Sequence, residues 1–539
     1  MSATARNLLL LGLAALVARI LAVVVLPWPP FTDPAYYSLV AQRLTEGHGF
    51  TIPVIYSFLE VGSRLPEVPT LPVPSNAHWM PLTSVVAAAS MAILGPTYIA
   101  GTVPLVVLSA LLPPLTYLVS MRLWGSQAGA WAAGIMAIFA GPLLILYPTT
   151  DNFAVFGAVG AASLFCAMRA VSAERPGPWL AAAGAFAGLA TLARIDGVLL
   201  TFAVATAWLV RRGWTPWSGE LIGGATIGWG LASAGAYLLV MAPWFARNLA
   251  TFGVPLPSTG GHTIWIRSYN EQFSIGHEVG LASYLDWGAA NIIGSKLESW
   301  GELVGRTAVL LGGTFVIFFV VGLWLFRRRA QLAPFLVYFV VMFVAMGGLF
   351  TFHAPKGAFY HSAPAWLPWA IPLSIAAVAP VLTGAGRWWR FLRRPATHRF
   401  VIAAGLVGSV VLSIVGSSIL HRQWDRSRQR DEQAATFLRA NADPTDVIMA
   451  SDPASLYPLT GIPGVAAPFD PYRITARVVD AYDVTWVVVL RPNAPGAIDP
   501  LGLWNGASGT DSEGAHPSFL PPAPAFEGDD VRIFRVVDG

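Results

Sequence analysis

The chain has 539 residues, of which 55% are hydrophobic and only 12% are charged, and its formal net charge is +4. A soluble globular protein carries about twice that share of charged residues, and the mean hydropathy of +0.59 is that of a membrane protein. The basic residues cluster at the ends of apolar segments and not on one polar face, so the composition excludes a nucleic-acid-binding protein.

Apolar segments recur from the N-terminus to residue 420, and a transmembrane helix needs about 20 such residues. The predicted spans are 7–26, 98–120, 127–147, 151–171, 179–193, 197–210, 221–243, 307–326, 331–352, 360–383 and 400–420. The first is expected to be a retained anchor, because no small-residue cleavage site precedes Pro27. A shorter segment, 80–95, is predicted to be re-entrant, and the total is about 11–13 transmembrane helices.

The basic residues predict which side of the membrane each loop occupies, because short cytoplasmic loops are enriched in Lys and Arg. The residues that assign loops to the cytoplasm are Arg122, Arg169, Arg175, Arg211, Arg212, Arg327, Arg328, Arg329, Arg387, Arg390, Arg393 and Arg394. The N-terminus is expected to be cytoplasmic, which requires that the segment 80–95 does not cross fully or that one weak span is miscounted. The external side then holds the loops 27–79 and 244–305 and everything after residue 420.

The sequence therefore predicts an all-α polytopic membrane protein with a small external C-terminal α/β domain. Its parts are the first transmembrane helix (1–26), an external loop with juxtamembrane helices (27–79), the transmembrane body (80–420) and the external domain (421–539). In that domain we predict strands at Asp446–Ala450, Val484–Leu490 and Val531–Val537, a helix at Asp431–Ala440 and a long loop at 491–528.

Two residues inside the spans bear on the class of protein. The single cysteine, Cys166, excludes an intramolecular disulfide and a cysteine-based metal site. Arg19 is the one charge well inside a span. We expect its side chain to snorkel to the membrane surface or to pair with a carboxylate.

Asp33 directly follows the first span and precedes Pro34, with Tyr37 and further apolar residues at helical spacing behind it. An Asp before a Pro is a common helix start, so Asp33 is a candidate N-cap, and Gly47 and Gly49 are expected to end the helix. The alternative is an acid at the membrane surface, where a catalyst for lipid-carried substrates needs one. Both interpretations are compatible, because a capping carboxylate keeps one oxygen free.

A second acid and an ion pair lie at predicted external span ends. Asp151 either begins the next helix together with Thr149 or Thr150, or it is a second acid close to Asp33. Arg194 and Asp196 interrupt an apolar stretch, and a basic residue on the external side runs against the usual charge bias. They form either a local turn pair or a clamp for a phosphate, which guanidinium groups bind in a bidentate manner.

The remaining polar candidates also lie on the external side. They are His78, at the start of the segment 80–95, Arg247, at the start of the second long loop, and His353, Lys356, Tyr360 and His361. The ordinary interpretation is a belt of interfacial residues. The functional one is a set of phosphate or sugar contacts, to which Tyr37 is added. The two acids, Asp33 and Asp151, are also candidate ligands of a divalent cation, which the histidines would join, although the spacing of the histidines matches no ligand motif.

Around these residues the chain resembles the GT-C class of polytopic glycosyltransferases, specifically the group with the protein O-mannosyltransferases and lipid A aminoarabinose transferases. The resemblance is most specific over residues 31–50, where an Asp leads into a Tyr-containing helix that ends in Gly47-His-Gly49. It continues with an aromatic-Pro start at 78–82, the span-end Asp151, the break near Arg194, and Pro-Trp-x-x-Arg-Asn at 243–248.

The resemblance implies a sugar donor carried on a polyprenyl phosphate and an acceptor on the external side. Asp33 takes the position of the catalytic acid in the first loop, Asp151 that of the second acid, and Arg194 that of a base contacting the phosphate. Pro34 stands where many relatives carry a second acid, and Met80 stands where the aminoarabinose transferases carry a lysine. These departures argue against that subfamily, and Lys356 or Arg247 is a candidate substitute for the lysine.

The sequence thus favours a glycosyltransferase with an aspartate general base, embedded in the lipid bilayer, whose acceptor is a protein, a lipid or a glycan. A transporter or lipid flippase is the first alternative, which predicts ionisable residues near the middle of the membrane and broken helices in paired halves. A non-catalytic envelope assembly protein is the second alternative. The positions of the two acids discriminate between the enzyme and these two alternatives, because the enzyme requires Asp33 and Asp151 to meet beside a cavity.

Overall fold

A computed structural model describes residues 2–213, 226–257, 259–491, 500–504 and 516–537. Its α-helices are α1 (Ala3–Val25), α2 (Thr32–Thr45), α3 (Leu82–Leu94), α4 (Tyr98–Ala110), α5 (Leu112–Trp124), α6 (Gln127–Ile138), α7 (Leu143–Leu146), α8 (Phe153–Ser172), α9 (Pro176–Ala193), α10 (Leu200–Arg211), α11 (Ile227–Phe252), α12 (Thr259–His262), α13 (Leu281–Asp286), α14 (Ala289–Leu310), α15 (Phe315–Leu325), α16 (Ala333–Gly348), α17 (Phe359–Ala385), α18 (Pro395–Asn441), α19 (Pro453–Thr460) and α20 (Tyr472–Ala481). Its strands are β1 (Thr51–Ile52), β2 (Val54–Ile55), β3 (Val73–Pro74), β4 (Val447–Ala450), β5 (Gly464–Ala466), β6 (Val484–Leu490), β7 (Phe526–Glu527) and β8 (Val531–Arg535).

The predicted spans are helical where the structure describes them, but they differ in length. Residues 221–225 of the predicted span 221–243 lie outside the described residues. Within the described ranges, seven helical stretches are long and apolar enough to cross a membrane, or eight if α14 and α15, which meet at a bend of 105°, count as one span. Other predicted spans coincide with shorter helices such as α6 and α10. Helix α3, in the segment 80–95, has 13 residues. At 1.5 Å per residue it is about 20 Å long, less than the apolar thickness of a bilayer.

Helix α18 is longer than predicted. The sequence predicted a span that ends at residue 420 and a separate helix at 431–440, but α18 is one helix of 47 residues. The prediction of two helices was wrong because residues 417–441 contain neither Gly nor Pro, and their charged and apolar residues are good helix formers. The same helix therefore runs from the membrane into the α/β layer.

The α/β layer is built on a six-stranded sheet with the order β2-β5-β4-β6-β8-β7. Strands β2, β5, β4 and β6 are parallel, whereas β8 is antiparallel to β6 and β7. The three strands predicted after residue 440 are present as β4, β6 and β8. Strand β2 comes from the loop 27–79, which was predicted to be the first external loop, so this loop and the C-terminal region lie on the same side of the membrane.

The packing under the sheet also joins the first loop to the C-terminal region. Tyr36 and Val40 of α2 are buried in one apolar cluster with Val465 and Val487 of the sheet. Helix α2 is therefore held between the transmembrane body and the sheet, with its N-terminus at the boundary of the two.

Arg19 is fully buried in α1, and its partners differ from the expected ones. Its guanidinium donates to the carbonyl oxygens of Ile138 (3.2 Å) and Leu144 (3.3 Å) and lies 4.6 Å from the ring of Tyr147. The expectation of snorkelling or a carboxylate partner was wrong, because the end of α6 leaves backbone carbonyls that need a donor. Arg19 supplies that donor and holds the segment that leads to Asp151.

Candidate functional site

A cavity of about 820 Å³ lies between the transmembrane body and the α/β layer. Nine of the candidates from the sequence line it: Asp33, Tyr37, His78, Arg194, Asp196, His353, Lys356, Tyr360 and His361. Apolar residues of the membrane helices also line it, among them Val309, Met346, Leu412, Ile419 and Leu420. One cavity thus combines ionisable groups with an apolar wall.

Asp33 and Asp151 meet beside this cavity, and His361 completes the group. Asp33 and His361 line the cavity, whereas Asp151 is fully buried next to them. One ligand atom from each of the three residues lies within 4.8 Å of the others. Burial, and next the neighbouring carboxylate of Asp151, raise the pKa of Asp33 well above its usual range. The three side chains form a site that attracts either a proton or a cation.

Asp33 does not cap α2. The helix begins at Thr32, its N-cap is Phe31, and no side chain makes the cap hydrogen bond. The carboxylate belongs to the first helical turn and lines the cavity. The predicted C-terminal end of the helix is confirmed, because α2 ends at Thr45 and Gly47 adopts a positive φ of 83° directly behind it.

Asp151 is fully buried and is oriented by its neighbours. Its Oδ1 accepts a hydrogen bond from the backbone N of Asn152 (2.6 Å), and its Oδ2 lies 2.9 Å from Nε2 of His361. The His361 ring stacks on Phe153 at a centroid distance of 4.0 Å. Neither Asp151 nor Thr149 or Thr150 caps α8, whose N-cap Asn152 makes no side-chain cap hydrogen bond.

Two hydrogen bonds set the position of Asp33 relative to Asp151. The hydroxyl of Thr150 donates to the carbonyl oxygen of Pro34 (2.7 Å), so the residues that follow Asp33 and precede Asp151 are bonded directly. The side-chain amide of Asn152 donates to the hydroxyl of Tyr37 (3.3 Å). Both bonds join α2 to the short segment between α7 and α8.

Arg194 is the C-cap residue of α9, and its local pair with Asp196 is the predicted one. Its Nε donates to Oδ1 of Asp196 at 2.8 Å, and the side chains are 17% and 5% exposed. The hydroxyl of Ser362 donates to the other oxygen of Asp196. Within the described residues, the bond to Asp196 is the only hydrogen bond of the Arg194 side chain, which also lines the cavity. Asp196 therefore orients the guanidinium group of Arg194 at the cavity wall.

A further part of the cavity wall is formed by the loop 244–305 and by the segment before α17. Lys356 is exposed, and its Nζ lies 5.8 Å from the ring of Tyr269. Nε2 of His353 lies 3.1 Å from Oε1 of Gln272. Burial lowers the pKa of His353 to about 4 and that of His78 to about 3, so both are neutral near pH 7.

Arg247 is the predicted site residue that lies elsewhere among the described parts of the chain. Its guanidinium donates to the carbonyl oxygens of Ser75 (2.8 Å) and Phe50 (3.4 Å) and lies 4.8 Å from the ring of Trp244. These contacts hold α11 against the first external loop. Arg247 is absent from the cavity lining.

Arg306, Tyr56 and Trp79 line the cavity but were not predicted. Arg306 contacts the ring of Tyr360 (5.1 Å), and its signal in the sequence was a basic residue at the external end of a span, as for Arg194. Tyr56 and Trp79 stack on each other at 4.0 Å. No sequence pattern marked Tyr56 and Trp79 as site residues, because aromatic residues are common in a loop at the membrane surface.

Comparison with known proteins places the fold. No protein-family model matches the sequence, and no curated protein matches it. ArnT from Cupriavidus metallidurans bound to undecaprenyl phosphate matches over 99% of this chain and 99% of its own, at 12% identity and a TM-score of 0.60. The Archaeoglobus fulgidus oligosaccharyltransferase in complex with Zn and sulfate matches over 88% of this chain and 67% of its own, at 14% identity and a TM-score of 0.56.

A further structure of the archaeal enzyme, AglB in complex with an inhibitory peptide and a dolichol-phosphate, matches over 89% of this chain and 69% of its own. Its identity is 12% and its TM-score is 0.51. At such low identities the matches establish the fold and not the reaction. This chain has the fold of the GT-C class of membrane glycosyltransferases, the class that the residues around Asp33 resemble.

Proposed function

We propose that this protein transfers a sugar from a polyprenyl-phosphate donor to an acceptor at the external membrane surface. The proposal rests chiefly on one observation: Asp33 lines a cavity with cationic and apolar walls, and the buried Asp151 lies directly beside it. Structural neighbours that bind undecaprenyl phosphate or dolichol-phosphate support the lipid-linked donor.

Asp33 is the proposed general base. It lines the cavity and lies next to Asp151 and His361, and a carboxylate in such a position can accept the proton of an acceptor hydroxyl. It would take the proton of an acceptor hydroxyl while the bond between the sugar and the phosphate oxygen breaks. Asp151, which is held by Asn152 and His361, would position the acceptor or a cation.

Arg194 and Lys356 are the proposed phosphate ligands. The Nε of Arg194 is used by Asp196, which leaves the two terminal nitrogens for phosphate oxygens. Lys356 lines the same cavity as an exposed cation. Stabilising negative charge that grows on the leaving phosphate lowers the barrier of the transfer. Arg247 is not assigned this role, because its guanidinium contacts the backbone of the first loop.

The apolar wall of the cavity would receive the first isoprene units of the donor. Leu412, Ile419 and Leu420 lie on α18, and Met346 lies on α16. Burying a hydrocarbon against such side chains contributes about 25 cal/mol per Å². The donor phosphate would then lie where the apolar and ionisable parts of the cavity meet.

The residues at the carboxylate pair also fit a divalent cation. Nδ1 of His361 lies 3.1 Å from the Gly357 carbonyl oxygen, and its Nε2 faces Asp151. A neutral imidazole carries one N–H and satisfies one of these acceptors, so the other needs a second proton or a cation. The buried Oδ1 of Asn152, which has no partner among the described residues, is a further oxygen nearby. A cation bound by Asp33, Asp151 and His361 would neutralise the carboxylates and polarise a bound oxygen.

The decisive experiment is transfer of radiolabelled sugar from synthetic polyprenyl-phosphate donors by the purified protein in liposomes with cell-envelope acceptors. Asp33→Asn should lower the transfer rate by about 100-fold or more, because general-base catalysis contributes about 10²–10⁴-fold. Its melting temperature should not fall, since the isosteric change removes repulsion from Asp151. Asp286→Asn, at an exposed acid of the second external loop, is the matched control.

The same preparations test the cation. Bound metal, measured by elemental mass spectrometry after dialysis against Mg²⁺, Mn²⁺ or Zn²⁺, should fall in His361→Gln relative to the Asp286→Asn control. Unchanged transfer by Asp33→Asn would reject Asp33 as the base, and absence of transfer by the wild type with every donor would reject the proposed function.

A further inference from the structure

The C-terminal α/β layer contacts the residue next to Asp33. The hydroxyl of Thr32 donates to Oδ2 of Asp452 at 2.7 Å, in a partly buried position. Asp452 is the N-cap of α19, and its carboxylate also accepts from the backbone N (3.3 Å) and the hydroxyl (2.7 Å) of Ser455. Ser451, directly before Asp452, lines the cavity. A carboxylate more than 400 residues away in sequence therefore reaches the first turn of α2.

The first turn of α2 has no side-chain cap of its own. The first N–H groups of an α-helix lack helical partners, and an uncapped end frays easily. Phe31, the N-cap residue, contributes no cap hydrogen bond, and its ring packs against Trp424 of α18 at 5.5 Å. The turn that carries Asp33 is therefore held by Asp452, Trp424 and the Thr150 bond to Pro34.

The Thr32–Asp452 bond is not needed to attach the α/β layer to the rest of the chain. Strand β2 already pairs with β5, and the backbone N of Gly464 donates to the Pro53 carbonyl oxygen (3.2 Å). The buried apolar cluster shared by α2 and the sheet adds further attachment. Loss of one hydroxyl should thus leave the layer docked and change mainly the position of the first turn.

We propose that Asp452 is a positioning residue, which acts through the hydroxyl of Thr32 to hold the Asp33 carboxylate opposite Asp151. The C-terminal layer then belongs to the catalytic apparatus, in addition to any part in acceptor recognition. This inference rests on the proposed function, in which Asp33 is the base. A carboxylate displaced by about 1 Å can lower a rate by about 100-fold, so the bond has a measurable consequence.

The test compares Thr32→Val with Thr32→Ser. Valine keeps the shape and removes the donor, whereas serine keeps the donor. We expect Thr32→Val to lower kcat by about 10- to 100-fold with the donor KM changed by less than about twofold, and Thr32→Ser to retain wild-type kcat. Thr436→Val, at an exposed threonine of α18 whose hydroxyl donates to its own helix, is the matched control.

Hydrogen exchange of the peptide that covers the first turn of α2 gives a second measurement that needs no substrate. Thr32→Val should accelerate exchange there by more than about tenfold, while Thr32→Ser and Thr436→Val should not. Unchanged exchange in Thr32→Val overturns the inference, as does unchanged kcat. Accelerated exchange throughout the sheet also overturns it, because the bond would then only dock the layer. A wild type without transfer but with the expected exchange pattern rejects the proposed function and keeps the positioning role of Asp452.

Discussion

Glu60 is a buried carboxyl group close to the cavity and outside the membrane spans. Its two oxygens accept from the hydroxyl of Tyr36 (2.9 Å) and from the backbone N of Ala77 (3.1 Å). Tyr36 in turn accepts from the backbone N of Asn76 (2.7 Å). Burial raises the pKa of Glu60 from 4.5 to about 7. This group fixes the segment that presents His78 and Trp79 to the cavity.

The pKa of Glu60 predicts a pH dependence of stability. Between about pH 4.5 and pH 7 folded Glu60 keeps a proton that the unfolded chain releases, so the contribution of Glu60 to stability falls by about 3 kcal/mol as pH rises through this window. Glu60→Gln mimics the protonated form, so its melting temperature relative to that of the wild type should rise between pH 5 and pH 7.5. The exposed Glu67→Gln in the same loop is the control. An unchanged pH slope in Glu60→Gln would show that Glu60 ionises without cost.

Arg19 bears on the alternative of a transporter. An ionisable residue in the middle of a span is a common sign of an ion or substrate pathway. Here the guanidinium is satisfied by the carbonyl oxygens of Ile138 and Leu144 and by the ring of Tyr147. With these fixed partners, Arg19 stabilises the break between α6 and α7. It therefore does not support the hypothesis that the protein is a transporter.

At the scale of elements, the second external loop depends on one carboxylate of the C-terminal layer. Asp470 accepts from the hydroxyl of Ser274 (2.6 Å) and from the backbone N of Ile275 (2.7 Å) and Gly276 (3.0 Å). The preceding residues Tyr269, Gln272 and Phe273 line the cavity. Asp470 therefore holds one cavity wall in place.

Asp470→Ala should release this loop. The change leaves two backbone N–H groups without their acceptor, and hydrogen bonds to a charged group contribute about 1.5–3 kcal/mol each. We expect limited proteolysis between residues 259 and 287 to become at least about tenfold faster, because a tenfold change needs only about 1.4 kcal/mol. Asp480→Ala, at an exposed acid of α20, should leave the rate unchanged. Equal cleavage of both variants would mean that other contacts hold the loop.

Element boundaries show where local sequence reasoning succeeds. Strands β4, β6 and β8 were predicted within a few residues, because short β-branched runs between polar turns are a local signal. Strands β1 and β2 were missed, since two residues make no recognisable pattern and β2 exists only through its pairing with β5. The continuity of α18 was missed because a change from apolar to polar composition was taken as a helix end.

At the scale of the whole molecule, the shared sheet places the first external loop and the C-terminal region on one side of the membrane. The positive-inside bias predicts that this side is external. Glu67 and Glu432 are exposed on the shared side, whereas Glu174 and Arg328 are exposed in loops predicted to be cytoplasmic. The membrane thus separates two sets of accessible positions.

Cysteine labelling tests this orientation. In a Cys166→Ala background, a membrane-impermeant maleimide should label Glu67→Cys and Glu432→Cys in intact cells. Glu174→Cys and Arg328→Cys should react only after permeabilisation. Cys166 is buried, so its removal should affect neither folding nor labelling. The reverse pattern would invert the molecule and place the cavity on the cytoplasmic side.

Sequence reasoning alone was enough for the membrane class, the main apolar helices, three of the eight described strands, and the candidates Asp33, Asp151 and Arg194. These follow from hydropathy, from residue preferences and from charges at span ends, all of which act over a few neighbouring residues. Only the tertiary structure decided that His361 joins the two acids, that Arg247 contacts backbone carbonyls and that Asp452 reaches Thr32. Such contacts join residues far apart in the chain, and packing alone determines which of many polar groups meet.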